Sequence, residues 1–501
     1  MAQPTAHPPV GSQTAPAGVG PYGGLALDRR LAQVARPVAW CTADERIREV
    51  AGRIGAGHHS CALVQAGAAV GIVTDSDFRR RVATGEVGID APVSAIATVP
   101  ALTMDEQETQ IAGLLRMVEH GVHHLVLTDG AGRAVGVVRA VDLAQTAVRD
   151  PLVVRSEIDT ARDLEGLAGA VRHLSATIVA LCDDGIAPPH VGAVHAAAID
   201  AVIRRVLRLR ADPVLAQVRH SWLVLGSLAR RESLPLSDVD TALVWDDDPA
   251  PSDPALTDHD PAGPLRAAAA GVLDDLRRCG LVPCPNGVNA DSPTFGRSRS
   301  AWAAAWRRGS TSGQSLLMTA TLADSRPITE PSLGRHLTEP IGAQPRGSRV
   351  VRALLDEALG FRPPTGFVRD FVVEHDGAHS GQLDLKKGGL APVVALARWV
   401  AIVTGDVTGG TPERLRRGAA RGVLTLDESR TLTRAFEDVY GMLLRHEADA
   451  LRAGRTPTTY LAPGTLDTLT RRHLREAFRA VRVVQSHVDQ HWMARLERLE
   501  R

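Results

Sequence analysis

Two short apolar runs, separated by a polar and turn-rich passage, form the most distinctive hydrophobic pattern in the chain. The first, Trp222 to Leu225, and the second, Val239 to Trp245, are each long enough for a buried strand. Gly226 and Ser227 end the first run, and a passage containing Arg, Glu and Pro leads to the second. The pattern therefore predicts two strands joined by a polar loop.

Two aspartates, Asp238 and Asp240, lie at the start of the second run. Because side chains alternate along a strand, we expect both carboxylates on one face and Val239 on the other. Mg²⁺ commonly binds one or two carboxylates together with substrate phosphates. The small residues Gly226 and Ser227 would let backbone N–H groups approach a phosphate closely. The residues predict metal-assisted attack on a nucleotide phosphate; the alternative is a surface hairpin with ordinary turn acids.

The rest of the pattern divides the chain into a polar tail, a repeat and helical regions. Residues 1–28 are rich in Pro, Gly, Ala and Thr and are expected to form a disordered tail. Residues 29–150 contain two similar units, in which GIVTDSDF begins at Gly71 and GVVRAVDL begins at Gly136. The helical pattern over about 155–210 is assigned, with the two strands, to a domain at 151–345, and 346–501 is expected to be helical.

Composition narrows the possible functions. With 501 residues we expect about three domains, and 44% hydrophobic and 23% charged residues are ordinary for globular proteins. Lys+Arg and Asp+Glu are equal at 57 each, which argues against a polynucleotide substrate. The five scattered cysteines support neither a disulfide framework nor a zinc site. No bilayer-spanning apolar stretch or secretory signal is evident, so we expect a cytoplasmic protein without membrane contact.

The repeat resembles a tandem pair of CBS domains, whose typical end motif is G-h-h-T-x-x-D-h, with h an apolar residue. The first copy keeps Thr74 and Asp77, whereas the second keeps Asp142 but has Arg139 where Thr is usual. In that family an adenosyl ligand lies between the repeats, the Asp holds a ribose hydroxyl and the Thr lies near a phosphate. The resemblance implies adenine-nucleotide binding at these four residues, with a phosphate contact or a solvated side chain for Arg139. The alternative is a CBS pair that binds no nucleotide and mediates dimerisation. We expect the protein to be a homodimer.

The two strands resemble the GS…DxD signature of the DNA-polymerase-β-like nucleotidyltransferases. The pattern G-S-x-x-R-x-E-x-x-P-x-S-D-x-D looks closest to the PII-uridylyltransferase branch. The loop CPNGVNADSP from Cys284, DLKKGG from Asp384 and TPERL from Thr411 resemble bacterial signal-transduction nucleotidyltransferases that carry CBS pairs. The resemblance extends over nearly everything after the tail.

That resemblance implies roles for further residues. Gly226, Ser227 and Arg230 would bind the nucleotide. Lys386, which precedes a Gly-Gly turn, is expected to reach the triphosphate, and a solvated lysine is the alternative reading.

A third carboxylate is also implied. A strand-like run, Leu316 to Leu322, leads to Asp324. In the polymerase-β-like fold a carboxylate from a neighbouring strand completes the metal site and can help to activate the attacking hydroxyl. We therefore expect Asp238, Asp240 and Asp324 to be the metal ligands and catalytic residues. The alternative for Asp324 is a strand-end residue that caps the following turn.

Together these features predict an α/β plus all-α protein, with a tandem CBS pair, a polymerase-β-like nucleotidyltransferase domain and a C-terminal helical domain for substrate binding. The expected reaction is Mg²⁺-dependent transfer of a nucleoside monophosphate from an NTP to an acceptor hydroxyl. By resemblance, the acceptor would be a PII-type signalling protein. The main alternative is a non-catalytic adenine-nucleotide sensor on an inactive transferase scaffold. A tRNA-end nucleotidyltransferase ranks lower because no R-R-D-F-like motif follows the DxD, and a small-molecule acceptor stays open.

Overall fold

The computed structural model of the chain describes residues 30–67, 69–143, 149–247, 262–309, 313–343, 349–365, 371–374 and 376–499. The predicted disordered tail, residues 1–28, lies outside these residues. In the described part, small sheets alternate with helices at the N-terminal side, and the C-terminal side is almost entirely helical. This arrangement confirms the predicted mixture of α/β and all-α structure.

The N-terminal module contains two similar units, each with a three-stranded sheet. The first strand of each sheet pairs in parallel with the second, and the second pairs antiparallel with the third. The elements are β1 (Ala39–Thr42), α1 (Ile47–Ala56), β2 (Cys61–Ala66), β3 (Ala69–Thr74), α2 (Asp75–Asp77), β4 (Thr103–Asp105), α3 (Gln110–His120), β5 (His124–Thr128) and β6 (Ala134–Arg139). Leu63 and Ile72 from one sheet pack in one buried cluster with Val126 and Val137 from the other. The two units therefore share a core, as the length of each repeat predicts.

A group of helices connects this module to the central sheet. It consists of α4 (Arg149–Thr160), α5 (Leu164–Asp183), α6 (Pro188–Arg210) and α7 (Pro213–Gln217). Asp163 caps α5, because its side chain accepts a hydrogen bond from the N–H of Gly166 at 2.8 Å. Most residues of α6 between Val191 and Val206 are buried, so this helix lies inside the molecule and supports the sheet.

The central sheet has four strands in the order β10-β7-β8-β9. Its strands pair antiparallel except for β8 and β9, which are parallel. The elements of this region are β7 (His220–Leu225), α8 (Gly226–Ala229), β8 (Thr241–Trp245), α9 (Ala262–Arg278), β9 (Gly296–Ser298), α10 (Arg299–Gly309), α11 (Gly313–Ala323), β10 (Ser325–Pro327), α12 (Pro331–Arg335) and α13 (Glu339–Gly342). All residues of β8 are buried, which agrees with the continuous apolar run.

One predicted strand is wrong. The run Leu316 to Leu322 lies in α11, and the strand that follows it, β10, begins only at Ser325. The hydrophobic pattern of a short apolar run does not distinguish a buried helix from a buried strand. The Leu, Met and Ala residues of this segment favour a helix. The predicted neighbouring strand nevertheless exists. Ser325 pairs with Leu225, which brings Asp324 beside the end of β7.

The C-terminal region is built on long helices. Its elements are α14 (Arg349–Gly360), β11 (Leu383–Asp384), α15 (Ala391–Thr404), α16 (Thr411–Ala420), α17 (Leu426–Arg452), β12 (Tyr460–Leu461) and α18 (Thr468–Leu499). A capping box opens α17: the N–H of Thr425 donates to Glu428 at 2.8 Å, and the N–H of Glu428 donates to Thr425 at 3.2 Å. Gly410 is the N-cap of α16, and Thr411 is the first residue of that helix.

The expectation that no apolar stretch is long enough to span a bilayer is wrong: two segments, Leu164–Asp183 and Leu385–Thr404, are long and apolar enough by length and composition alone. The apolar window of the second is 78% buried inside the protein, as expected for a core helix. One or two such segments are weak evidence for a membrane protein, because core helices pass the same test.

Candidate active site

Asp238 and Asp240 come together at the edge of the central sheet, as their spacing predicts. Asp240 immediately precedes β8, and its backbone carbonyl accepts a hydrogen bond from the N–H of Leu225 at 3.0 Å. The carboxylate oxygens of both aspartates and the Sγ atom of Cys284 lie within 4.8 Å of one another. Carboxylate oxygens at this separation fit a divalent cation, which the sequence pattern also predicts.

Gly226 lies close to the carboxylate of Asp240. A Cβ atom at position 226 would lie 2.8 Å from Oδ2 of Asp240, and the φ angle of +61° favours glycine. The Gly226 N–H donates to the carbonyl of Asp324 at 2.8 Å, so this N–H group is occupied. Gly226 thus provides close approach rather than a phosphate donor, and the half-buried Ser227 that follows it is the second residue of the short helix α8.

Cys284 is the residue at this site that the sequence analysis did not assign to a role. Its thiol donates a hydrogen bond to Asp240, and burial, together with this bond, raises the pKa of Cys284 to about 12. Burial also raises the pKa of Asp240; the charge of Asp238 adds to this effect, and the bond from Cys284 opposes it. The signal in the sequence was the position of Cys284 in a turn-rich loop, but this position alone does not predict contact with Asp240.

Asp324 lies in a separate group of charges, which we call the arginine cluster: Arg230, Arg398 and Arg414. Its carboxylate accepts hydrogen bonds from Arg230 at 2.6 Å, from Arg398 at 2.7 and 2.9 Å, and from Arg414. Only 1% of Asp324 is exposed. Burial would raise the pKa of Asp324, but the three guanidinium groups outweigh it and hold the pKa well below its usual range. The metal-binding role of Asp324 stays a prediction, since both of its oxygens contact arginines here.

Arg230 connects Asp324 to the C-terminal helices through Glu232. The Nε atom of Arg230 donates to Glu232 at 2.8 Å, and Glu232 also accepts the N–H of Thr411 and its hydroxyl, the latter at 3.0 Å. Burial alone would lower the pKa of Arg230, but Asp324 and Glu232 more than offset this and raise it above the usual value. The R-x-E pair of the sequence motif is therefore a buried ion pair that binds the start of α16.

Lys386 lies on the C-terminal side of the site. The carboxylate of Asp384 accepts the backbone N–H groups of Lys386 and Lys387, both at 3.0 Å, which holds the turn before α15. The positive charge of Lys386 opposes the rise that burial causes in the pKa values of two carboxyl groups, Asp240 and Glu447. Lys386 is exposed and its charge acts on Asp240, whereas its contact with a triphosphate stays a prediction.

Glu447 is a buried carboxyl group near this lysine that the sequence analysis also missed. It lies on α17, is 1% exposed and accepts the N–H of Leu236 at 3.2 Å. Burial raises the pKa of Glu447 to about 7, against smaller opposing effects from Leu236 and Lys386. Its position on the inner face of α17 follows from helical periodicity, which does not distinguish a buried glutamate from a solvated one.

Glu447 gives the protein a pH-dependent stability. The folded-state pKa exceeds the unfolded value, so the folded state binds the extra proton and stability falls as the pH rises from about 4.5 to about 7. We expect Glu447→Gln to remove this fall, and to be more stable than the wild type above about pH 7 by up to roughly 3 kcal/mol. Urea unfolding at two pH values measures the difference. Parallel pH profiles for both proteins would contradict the assignment.

The four residues of the N-terminal module that are predicted to bind a nucleotide form one pair in each unit, and the two pairs differ in their hydrogen bonds. Oδ2 of Asp77 accepts both the N–H and the hydroxyl of Thr74, each at 2.8 Å. In the second unit, both oxygens of Asp142 accept bonds from Arg139, and Oδ1 also accepts Nε of Arg36 at 3.1 Å. Among the described residues no hydrogen bond to Oδ1 of Asp77 is found, whereas both oxygens of Asp142 are engaged by arginines.

A cavity of about 380 Å³ lies away from the aspartate pair. It is lined by residues that include Asp247, Trp302, Met318 and His336, and it contains none of the predicted site residues. Asp247 and Asp240 lie beyond opposite ends of β8, about 20 Å apart by the rise of an extended strand. The carboxylates, and not this cavity, therefore define the candidate active site.

Three regions of the chain match known protein families. Residues 172–315 match a family described as "Putative nucleotidyltransferase DUF294", and residues 348–492 match a "Putative nucleotidyltransferase substrate binding domain". Residues 93–149 match the CBS domain, which covers the second repeat. A search among curated proteins gives no match.

Similar solved structures cover the N-terminal part of the chain. A CBS domain protein from Pyrobaculum aerophilum, solved in complex with AMP, is 24% identical, with 25% of this chain and 98% of that chain covered and a TM-score of 0.23. An uncharacterized conserved protein from Pyrococcus horikoshii is 21% identical over 24% of this chain and 93% of its own, with a TM-score of 0.23.

The matched central region contains the aspartate pair and Arg230, and the matched C-terminal region contains Arg398 and Arg414. Three regions of the chain are thus similar to known families: one to the CBS domain, one to a nucleotidyltransferase family and one to a nucleotidyltransferase substrate-binding domain.

Proposed function

We propose that the protein is a CBS-regulated nucleotidyltransferase that transfers a nucleoside monophosphate from an NTP to an acceptor hydroxyl. The observation that carries the proposal is the close approach of Gly226 to the carboxylate of Asp240, beside Asp238. Within a domain that matches a nucleotidyltransferase family, this geometry provides carboxylate ligands and an unobstructed backbone for a phosphate chain. We place the protein in the cytoplasm and propose that it acts as a homodimer.

The proposed reaction is an in-line displacement. The acceptor oxygen forms a bond to the α-phosphorus, the bond to the bridging oxygen of the pyrophosphate breaks, and the hydroxyl proton is released. Asp238 and Asp240 would hold Mg²⁺, which supplies charge neutralisation at the phosphates. Ser227 and Lys386 would contact the triphosphate, and Arg230 would be held in place by Asp324 and Glu232.

A carboxylate whose pKa is held as low as that of Asp324 is a poor proton acceptor. We therefore propose that Asp324 acts mainly by positioning the arginine cluster. Two of these arginines, Arg398 and Arg414, come from the C-terminal helices, so Asp324 also fixes those helices against the central sheet.

The acceptor that we propose is a PII-type signalling protein, on the resemblance of the G-S-x-x-R-x-E motif. The test is incubation of the full chain with labelled UTP or ATP and a purified PII-type protein, with Asp240→Asn as the inactive control. Label on the acceptor that depends on Mg²⁺ and is absent with the variant supports the proposal. Label on RNA or on a small molecule alone would reject the protein acceptor. The absence of turnover with every acceptor, together with tight adenylate binding, would favour a non-catalytic sensor.

Lys386 provides a specific prediction for the nucleotide. We expect Lys386→Ala to weaken NTP binding by about tenfold, because a charge-assisted contact to a phosphate is lost. Lys387→Ala is the matched control, since Lys387 lies in the same turn and is equally exposed. Calorimetric titration with a non-hydrolysable NTP measures both affinities. Equal affinities for the two variants would show that Lys386 is a solvated lysine.

We propose that the CBS module binds an adenine nucleotide mainly through its first unit. Because Asp142 is engaged by Arg139 and Arg36, we expect Asp77→Ala to weaken AMP binding by about tenfold and Asp142→Ala to weaken it less. AMP is the probe because it lacks the triphosphate that the transferase site requires. Thermal shift of the full chain with AMP measures binding. If AMP does not shift the wild type, the module serves dimerisation.

A contact between the module and the catalytic loop offers a route for regulation. Glu119 on α3 forms an ion pair with Arg231, which follows Arg230 directly. Arg231 has a φ of +61°, in the left-handed region that a non-glycine residue adopts at a cost. We propose that nucleotide binding to the module acts on the loop through this ion pair.

A further inference from the structure

We propose that Cys284 is a third protein ligand of the ion held by Asp238 and Asp240, and that the site therefore binds divalent ions with affinity for sulfur, such as Co²⁺, Zn²⁺ or Cd²⁺. This proposal rests on the proposed function, because it concerns the same metal site. It differs from the prediction from sequence, in which Asp324 completes the ligand set.

The geometry places a sulfur atom where the third oxygen was expected. Sγ of Cys284 lies within 4.8 Å of an oxygen of each aspartate, and its thiol already donates to Asp240. Asp324 does not belong to this group among the described residues, and its oxygens contact the arginine cluster. Cys284 is therefore the available third donor beside the aspartate pair.

The loop that carries Cys284 is fixed on both sides. The Asn289 side chain accepts the N–H of Cys284 at 3.1 Å and donates to its carbonyl at 2.8 Å. The N–H of Ala290 donates to the hydroxyl of Thr241 at 3.0 Å, which anchors the loop to the first residue of β8. Val239, between the two aspartates, pairs with Pro283, the residue before Cys284. The thiol and the carboxylates are thus held by one network of backbone contacts.

Gly226 and the burial of Cys284 determine the space around the three donor atoms. Gly226 has no side chain beside Oδ2 of Asp240, where a Cβ atom would lie 2.8 Å away. Cys284 itself is 6% exposed, so an ion must enter from the aspartate side. Removing water from a site with two carboxylates and a thiol strengthens the binding of a cation.

The chemistry of the donors decides which ions are preferred. Mg²⁺ requires oxygen ligands in near-octahedral geometry, whereas thiolate ligands select zinc and other thiophilic ions. When such an ion binds, the S–H bond breaks, the sulfur binds the ion and the proton passes to solvent. Mg²⁺ delivered by a nucleotide would use only the two carboxylates. Thiophilic ions would therefore bind without nucleotide and compete with Mg²⁺.

The test is titration of the full chain with Co²⁺ in the absence of nucleotide. We expect a thiolate-to-cobalt charge-transfer band in the near ultraviolet, which Cys284→Ser abolishes while weakening Co²⁺ binding at least about tenfold. Cys279→Ser is the matched control, because Cys279 is also buried, and its band should equal that of the wild type. Mg²⁺ binding should change little in Cys284→Ser, and circular dichroism confirms that each variant is folded. Cys284→Ala repeats the test if the serine variant unfolds.

The outcomes separate this proposal from the proposed function. A band that persists in Cys284→Ser, or Co²⁺ binding without any band, would overturn the ligand role of Cys284, and so would the absence of Co²⁺ binding. None of these results depends on turnover, so the transferase proposal would stand. A band in a protein without transferase activity would support the metal site and reject the reaction.

Discussion

Replacement of Asp238 or Asp240 by Asn is expected to reduce nucleotide turnover by at least about a hundredfold, with the fold intact. Changing a residue that only supports a metal ligand lowers metal affinity or activity by about 10- to 100-fold. The two aspartates are proposed as the ligands themselves, so we expect a loss at least as large. Among the residues that the structure describes, Asp238 forms no ion pair that the substitution would break. Asp240 accepts a hydrogen bond from the Cys284 thiol, and an Asn side chain can accept the same bond. Stability should therefore change little.

The matched control is Asp246→Asn at the other end of β8. Asp246 is paired with Arg219 and Arg299 on the surface and lies far from the proposed site. We expect wild-type turnover in this control. Calorimetry with Mg²⁺ and a non-hydrolysable NTP, together with product assays, measures each variant. Unchanged binding and turnover in both Asp238→Asn and Asp240→Asn would remove the aspartate pair from the mechanism.

The sequence was sufficient to predict the contacts between site residues that lie close together along the chain. The two apolar runs became β7 and β8, and the alternation of side chains placed Asp238 and Asp240 together. Gly226 follows β7 directly, so its approach to Asp240 is a consequence of the pairing of two neighbouring strands. Local pattern and strand geometry determine these contacts.

The environment of Asp324 could not be predicted in the same way. Its contacts with Arg398 and Arg414 join residues that are 74 and 90 positions apart. These contacts depend on how α15 and α16 pack on the central sheet, and helical periodicity does not specify that packing. The resemblance supplied the position of Asp324 but not its partners. Cys284 was missed for a related reason, since its contact with Asp240 depends on the pairing of Val239 with Pro283.

Replacement of Asp324 by Ala is expected to destabilise the protein by roughly 3–5 kcal/mol, the cost of leaving a buried charge without its partner. Three guanidinium groups surround this carboxylate, and Nε of Arg414 is already buried without a hydrogen-bond partner among the described residues. Removing the carboxylate leaves these positive charges facing one another. The melting temperature should fall by several degrees, and the C-terminal helices should lose their attachment to the central sheet.

The size of this effect distinguishes a structural role for Asp324 from a metal-binding role. The exposed ion pair of Asp449 with Arg452 provides the control, because Asp449→Ala should cost no more than about 1 kcal/mol. The low pKa of Asp324 means that its contribution is present at neutral pH and above about pH 4, and is lost as the pH falls further towards the folded-state pKa. The stability difference between the wild type and Asp324→Ala should therefore narrow only in acid. Chemical denaturation at several pH values measures it. Unchanged stability with loss of metal binding would instead identify Asp324 as the third metal ligand.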